Sequence, residues 1–205
     1  MSKKEQELKL LLTKETYERL LLHADDTKPV LCQTNYYFDR PDFYMGKSGV
    51  MLRVREENGT WILCAKMKLA SSSSAVSSIE LEQEITPETF EAGRSNPEIL
   101  VHLLPDEGQK AIRQLLPPSD LIVRGTLRNE RRTLYLPEIK GYTCELDRTF
   151  LPGNREEYEL EIEGMENDDA CNYVMDTLSA LGYSFSIHQK SKYQRLQEAL
   201  DGLSS

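Results

Sequence analysis

The sequence predicts an α+β protein, an eight-stranded antiparallel β-barrel with a charged interior and helices packed outside. Three observations predict it. Short segments of alternating apolar and polar residues succeed one another along most of the chain, joined by turn signals, as antiparallel strands do. Helical patterns come only at intervals between them. Several of the alternating segments also carry charges of mostly one sign on their polar face, where an ordinary solvated face mixes signs with Ser, Thr and Gln. With 205 residues, no internal repeat and no long linker, the chain reads as a single domain, residues 1–205.

Residues 5–12 alternate and then turn apolar. Thr13 is placed to cap a short helix, with Glu15 in its first turn and an apolar stripe of Tyr17, Leu20 and Leu21, ending near Asp25 and Asp26. Residues 33–39, rich in aromatics, read as a strand that Pro41 breaks. Residues 49–56 and 60–68 are strands joined by Asn58-Gly59, a tight-hairpin dipeptide. Residues 70–78 form a serine-rich loop, and 78–85 alternate as a strand. Thr86 and Pro87 open a helical region that runs to Pro117-Pro118 with breaks near Pro97 and Pro105. Strands follow within 121–136, at 142–150 and at 155–163, the last two joined by a Pro152-Gly153-Asn154 turn. Asn167 or Asp168 caps a helix through Ala180, closed by Gly182, and a final helix covers about 189–200.

The charge balance narrows the function. A net charge of −9 argues against general nucleic-acid or membrane-surface binding, which needs basic excess. It leaves room for an anionic small ligand bound with metal ions. No apolar run approaches the roughly 18 residues of a membrane span. The start, Met1-Ser2-Lys3-Lys4-Glu5, lacks the apolar core of a signal peptide, so a cytoplasmic protein is expected. Cys32, Cys64, Cys144 and Cys171 are scattered, which predicts reduced thiols rather than a zinc site or disulfides. His23, His102 and His188 have no ligand-like spacing, and neither a Ser-His-Asp arrangement nor a phosphate-binding glycine loop is present.

Side chains two apart on a strand share a face. One face collects Glu5, Glu7 and Lys9; others collect Arg53 with Arg55, Lys66 with Lys68, Glu80 with Glu82 and Glu84, and Glu157 with Glu159, Glu161 and Glu163. The opposite faces carry Leu8 and Leu10, Leu52 and Val54, and Leu160 and Ile162. Such rows arise on solvated sheets too. Three carboxylates in a row repel, however, and need cations close by. A closed barrel with its charged face inward brings acidic and basic rows together. Carboxylates suit Mg²⁺ or Mn²⁺, and Arg and Lys suit phosphate oxygens, so the bore would hold a metal-bound polyphosphate.

Glu5-Gln6-Glu7-Leu8-Lys9 has the form E-x-E-x-K near the start of the chain, followed by Leu52-Arg53-Val54-Arg55, Lys66-Met67-Lys68, the acidic strand at 80–84, Asp147, Tyr158-Glu159-Leu160-Glu161 and Lys192-Tyr193-Gln194-Arg195. Over nearly its whole length the chain resembles the CYTH superfamily, the triphosphate tunnel metalloenzymes, and most closely the small stand-alone bacterial members. The resemblance implies an eight-stranded tunnel and a metal-dependent triphosphatase using Mg²⁺ or Mn²⁺. It implies catalytic roles for Glu5, Glu7, Lys9 and Glu82, with Glu80 and Glu84 sharing the face of Glu82. It implies substrate binding by Lys9, Arg53, Arg55, Lys66, Lys68, Arg131 and Lys192, with Arg128 competing for the place of Arg131. It implies metal binding by Glu5, Glu7, Asp147, Glu159 and Glu161. The expected partner is a small-molecule triphosphate, inorganic or organic, with no nucleic acid or membrane, and the chain as monomer or homodimer. An adenylate cyclase of the same family and a non-catalytic polyphosphate-binding module are the competing readings.

Overall fold

The computed structural model describes residues 2–69 and 75–203, and of residues 2–5 the backbone alone. Most of the serine-rich loop and the side chain of Glu5 therefore lie outside the described residues. Among the described residues there are nine strands: β1 (Ser2–Leu12), β2 (Leu31–Asp39), β3 (Val50–Glu57), β4 (Thr60–Lys68), β5 (Val76–Ile85), β6 (Ile122–Leu134), β7 (Thr143–Leu151), β8 (Arg155–Glu163) and the short β9 (Phe185–Ile187). They form one antiparallel sheet in the order β5-β4-β3-β2-β6-β7-β8-β1-β9. The sheet closes because β1 pairs with β8 along one side and with β5 along the other. The result is an eight-stranded barrel, and closure removes its open edges. Strand β9 was not expected; it takes the stretch of β1, Leu10–Leu12, that lies past the end of β5. Three residues are too few to show alternation.

Local chemistry explains most boundaries. Asn58 (φ 48°) and Gly59 (φ 89°) both adopt the left-handed conformation that a two-residue hairpin requires. The Thr13, Thr86 and Asn167 side chains accept hydrogen bonds from the backbone N–H groups of Thr16, Thr89 and Ala170, capping helices α1 (Lys14–Leu20), α3 (Pro87–Ser95) and α6 (Asp168–Ala180). Between them lie α2 (Tyr44–Lys47), α4 (Glu98–Leu103) and α5 (Asp106–Arg113); α7 (Lys192–Leu203) ends the described chain. No helix among the described residues is long and apolar enough to cross a membrane.

The apolar face of each strand points outward, and helices cover it in sectors. Leu8, Leu10, Leu146, Leu160 and Ile162 pack with Tyr17 and Leu20 of α1 and with Cys171, Val174 and Leu178 of α6. Leu52, Val54, Leu63 and Leu81 pack with Phe90 of α3, Leu100 and Val101 of α4, and Ile112 of α5. Burying each such side chain contributes about 1.5–3 kcal/mol. The third cluster differs: Tyr193, Leu196 and Ala199 of α7 meet Tyr37, Leu127 and Leu151. Those three strand residues have inward parity, so α7 lies across one mouth of the barrel.

The structure resolves the arginine-rich sixth strand. Opposite β2 its register shifts, with Gly125 facing Tyr37 and Val123 facing Phe38, so one extra residue is accommodated at Arg124. Arg124 turns outward, donating from Nε to the Pro41 carbonyl at 3.0 Å over the Phe43 ring. Arg128 lies against the Phe150 ring. Arg131 points into the bore, where it donates to Asp147.

Candidate active site

The bore encloses a cavity of about 370 Å³. Its described lining includes seven carboxylates and seven Lys or Arg side chains, an even balance in a chain of net charge −9. The two signs are partly segregated by strand order. Adjacent strands β5, β1, β8 and β7 supply Glu80 and Glu82, Glu7, Glu161 and Glu163, and Glu145. Strands β3 and β4 supply Arg53, Arg55, Lys66 and Lys68, with Glu57 at the end of β3. Between β3 and β6, β2 presents the neutral Gln33, Asn35 and Tyr37.

The acidic arc is deepest at Asp147, Glu159 and Glu161, which are 0%, 0% and 4% exposed. They sit on adjacent strands, with Asp147 directly opposite Glu159. Four cations hold them. Lys192 Nζ, at the first residue of α7, lies 2.7 Å from an oxygen of each carboxylate. Arg131 pairs with Asp147 at 2.7 Å and also with Glu161 and Glu145. Lys9 Nζ lies 2.5 Å from Glu161 and 3.1 Å from Glu7. Arg195 joins Glu159 at 2.8 Å and Glu157 at 2.9 Å. Burial alone would raise the Asp147 pKa, but Arg131 and Lys192 outweigh it and hold the group down at about 2. Glu161 is likewise held well below the usual carboxylate range: Lys192, Lys9 and Arg131 overcome its burial. Glu145 goes the other way, pushed up to about 7 by burial, which Arg131 does not fully offset.

On the basic side, Arg53 donates to Glu80 at 3.1 Å, and Lys66 lies 3.3 Å from Glu80 and 3.5 Å from Glu7. Arg55, half-buried, is less fully compensated than Arg53 or Arg131. It donates to Asn35 at 3.2 Å and stands 3.6 Å from Glu57, while burial and the nearby Arg53 and Arg131 lower its pKa. A guanidinium held this way gains from an anion brought beside it.

Among the residues expected from sequence, the structure brings Glu7, Lys9, Arg53, Arg55, Lys66, Lys68, Glu82, Arg131, Glu161 and Lys192 to this one cavity, with Asp147 and Glu159 in the buried cluster at its wall. Glu5 pairs with Ser78 through the backbone of β1, and its side chain lies outside the described residues. On β5 it is Glu80, 8% exposed, that carries Arg53 and Lys66, whereas Glu82 lines the cavity but is exposed. Lys192 and Arg131, expected against phosphate, are held by carboxylates. Sequence reasoning passed over Glu145 and Arg195 as site residues. Glu145 lies two residues before Asp147 on the same face, and Arg195 one helical turn after Lys192, so both periodicities pointed to them.

The residues fit a divalent metal. Asp147, Glu159 and Glu161 each offer a carboxylate oxygen within 4.8 Å of the others, and hard oxygen donors suit Mg²⁺ or Mn²⁺. Cys64, Glu80 and Glu82 also converge. There the thiol is pushed up by burial and donates to Glu80 at 2.8 Å, so as a protonated group it is a poor ligand.

Comparison with known proteins agrees with this geometry. The CYTH domain family matches residues 3–195, and the chain belongs to that family. CYTH proteins bind triphosphates and depend on divalent metal. A solved structure from Hippeastrum, a candidate adenylyl cyclase described as having a dominant triphosphatase activity, is 21% identical, with a TM-score of 0.77 and 95% of each chain covered. A candidate adenylate cyclase from Bacillus halodurans is 26% identical, with a TM-score of 0.74 over 95% of this chain and 97% of that one. The PH1819 protein of Pyrococcus horikoshii is 20% identical, with a TM-score of 0.56 over 95% and 98%. No curated protein matches the sequence.

Proposed function

We propose that this chain is a divalent-metal-dependent triphosphatase that holds the phosphate chain of its substrate in the barrel. The observation that carries the reading is the enclosed cavity with carboxylates concentrated on one arc and Arg53, Arg55, Lys66 and Lys68 on another. A purely anion-binding site has no need of buried Asp147, Glu159 and Glu161. A binding site for metal alone has no need of under-compensated Arg55.

In this reading Arg53, Arg55, Lys66 and Lys68, with Lys9, Arg131 and Lys192, bind the triphosphate oxygens. Glu5, Glu7, Asp147, Glu159 and Glu161 hold the metal, which when bound neutralises phosphate charge and polarises the oxygens it touches. Lys9 fixes the direction in which the chain lies. Water attacks the terminal phosphorus, the bridging oxygen leaves with the bonding electrons, and a carboxylate among Glu5, Glu7 and Glu82 takes the proton from water. Phosphoryl transfer asks mainly for such positioning and charge neutralisation. The likeness to the Hippeastrum protein supports hydrolysis, and the likeness to the Bacillus protein favours a second reading, cyclisation, in which a ribose hydroxyl replaces water.

Incubation of the purified protein with inorganic triphosphate, ATP and thiamine triphosphate, each with Mg²⁺ or Mn²⁺, tests the proposal through its products. The expected result is metal-dependent orthophosphate release from at least one substrate and ADP rather than cyclic AMP wherever ATP is consumed. Cyclic AMP as the product would establish the second reading. Tight metal-dependent binding without turnover would leave only a binding module.

A further inference from the structure

Among the described residues, four cations hold Asp147, Glu159 and Glu161. A divalent metal bound to these carboxylates has to take a place that a cation already holds against their oxygens. Arg131, Lys9 and Arg195 each have a further carboxylate partner, in Glu145, Glu7 and Glu157. Lys192 is the cation that touches all three members of the cluster, at 2.7 Å each. A Mg²⁺ ion bound to the same oxygens at about 2.1 Å would overlap the position of that ammonium. Lys192 is also the first residue of α7, just after the capping Ser191, so its side chain can swing without disturbing a strand.

We infer that Lys192 is an internal counter-cation whose ammonium occupies the metal position of the acidic cluster and is displaced when the metal loads. Released at the same cavity, the ammonium becomes available to an anionic oxygen of the substrate. The order of events is then set by the fold: metal first, and only then the full complement of phosphate-binding cations. Tyr193 keeps the displacement local. Its hydroxyl donates to Asp39 at 2.8 Å and its ring stacks on Tyr37 at 4.7 Å, so α7 stays on the barrel mouth while Lys192 moves.

The inference rests on the metal reading above but fails separately from it. Its test uses the wild-type protein, with Lys192 modified by a lysine-reactive acylating reagent and quantified by mass spectrometry with and without Mg²⁺. Mg²⁺ affinity is measured by calorimetry on wild type, Lys192→Met and Lys9→Met. The expected result is several-fold faster acylation of Lys192 with Mg²⁺, and an affinity about tenfold tighter in Lys192→Met than in wild type, well beyond the change in Lys9→Met. Lys9→Met controls for the general loss of one positive charge near Glu161. Mg²⁺ binding with Lys192 acylation unchanged, or equal gains in the two variants, would overturn the inference and leave the metal reading standing. Absence of Mg²⁺ binding in every protein would overturn both.

Discussion

At the scale of single residues, the cavity wall contains carboxylates whose ionisation is driven in opposite directions by the balance of burial and partner charge. Asp147 faces two cations and stays ionised, whereas burial pushes Glu145 up to about 7 because Arg131, shared with two other carboxylates, does not offset it. A carboxylate raised on folding binds its proton more tightly in the folded state, so its contribution to stability is present at low pH and is lost as pH rises from its unfolded value through about 7. Glu145→Gln should therefore be more stable than wild type above that range, and the advantage should shrink toward pH 5. The difference between the two conditions should be roughly 2–3 kcal/mol. Urea denaturation of both metal-free proteins at pH 5 and pH 8 measures it; an equal gap at the two values would show that Glu145 keeps an ordinary pKa. Residue identity in the sequence made the charge rows visible, but ionisation depends on burial and on which strands become neighbours, and Glu145 is unusual because the fold buries it beside Glu161 with too little compensation from Arg131.

At the scale of elements, the site depends on how α7 is fastened. Asp39, fully buried at the end of β2, accepts hydrogen bonds from the backbone N–H groups of Arg40, Met45 and Gly46 and from the Tyr193 hydroxyl. It thereby ties the β2–β3 connection to the residue that follows Lys192. Gly46 is part of the same joint, since a Cβ there would meet the Tyr193 ring at 2.7 Å. Asp39→Ala should cost about 2–4 kcal/mol, because it leaves buried donors without partners. It should also raise amide hydrogen exchange in α7 more than in α6. Exchange that increases evenly across the chain would mean that Asp39 supports the fold in general and not this helix. Most elements were legible in the sequence for local reasons. The Asn58-Gly59 hairpin, the Thr86-Pro87 helix start and the Asn167 cap each carry their own chemistry. Strand β9 and the bulge at Arg124 were not legible, because both are set by what lies across the sheet. The last helix starts at Lys192 rather than near 189 for a local reason, since Ser191 Oγ accepts from the Gln194 N–H at 3.2 Å and Gln194 Oε1 from the Ser191 N–H at 2.9 Å, a reciprocal cap.

At the scale of the whole molecule, the barrel reverses the usual arrangement, with apolar residues outside under helices and charge within. Alternation in β1, β3, β4, β5 and β8 revealed two unlike faces, but alternation cannot say which face is inward. Like charge along single strands suggested it, and ring closure through β1 brings the acidic strands β5, β1, β8 and β7 side by side. The roles of individual side chains were less legible. Arg131 and Lys192 were expected against phosphate from the family resemblance, yet both are bound to carboxylates in the fold. The account stands on the claim that the enclosed acidic cluster serves metal-dependent cleavage of a triphosphate. The most direct measurement is orthophosphate release from inorganic triphosphate, with and without Mg²⁺ or Mn²⁺, by wild type and by Glu161→Gln, both shown to be folded by circular dichroism. The account predicts metal-dependent release by wild type and a fall of about 100-fold or more in the variant. Release by wild type that needs no metal, or that Glu161→Gln leaves unchanged, would contradict it.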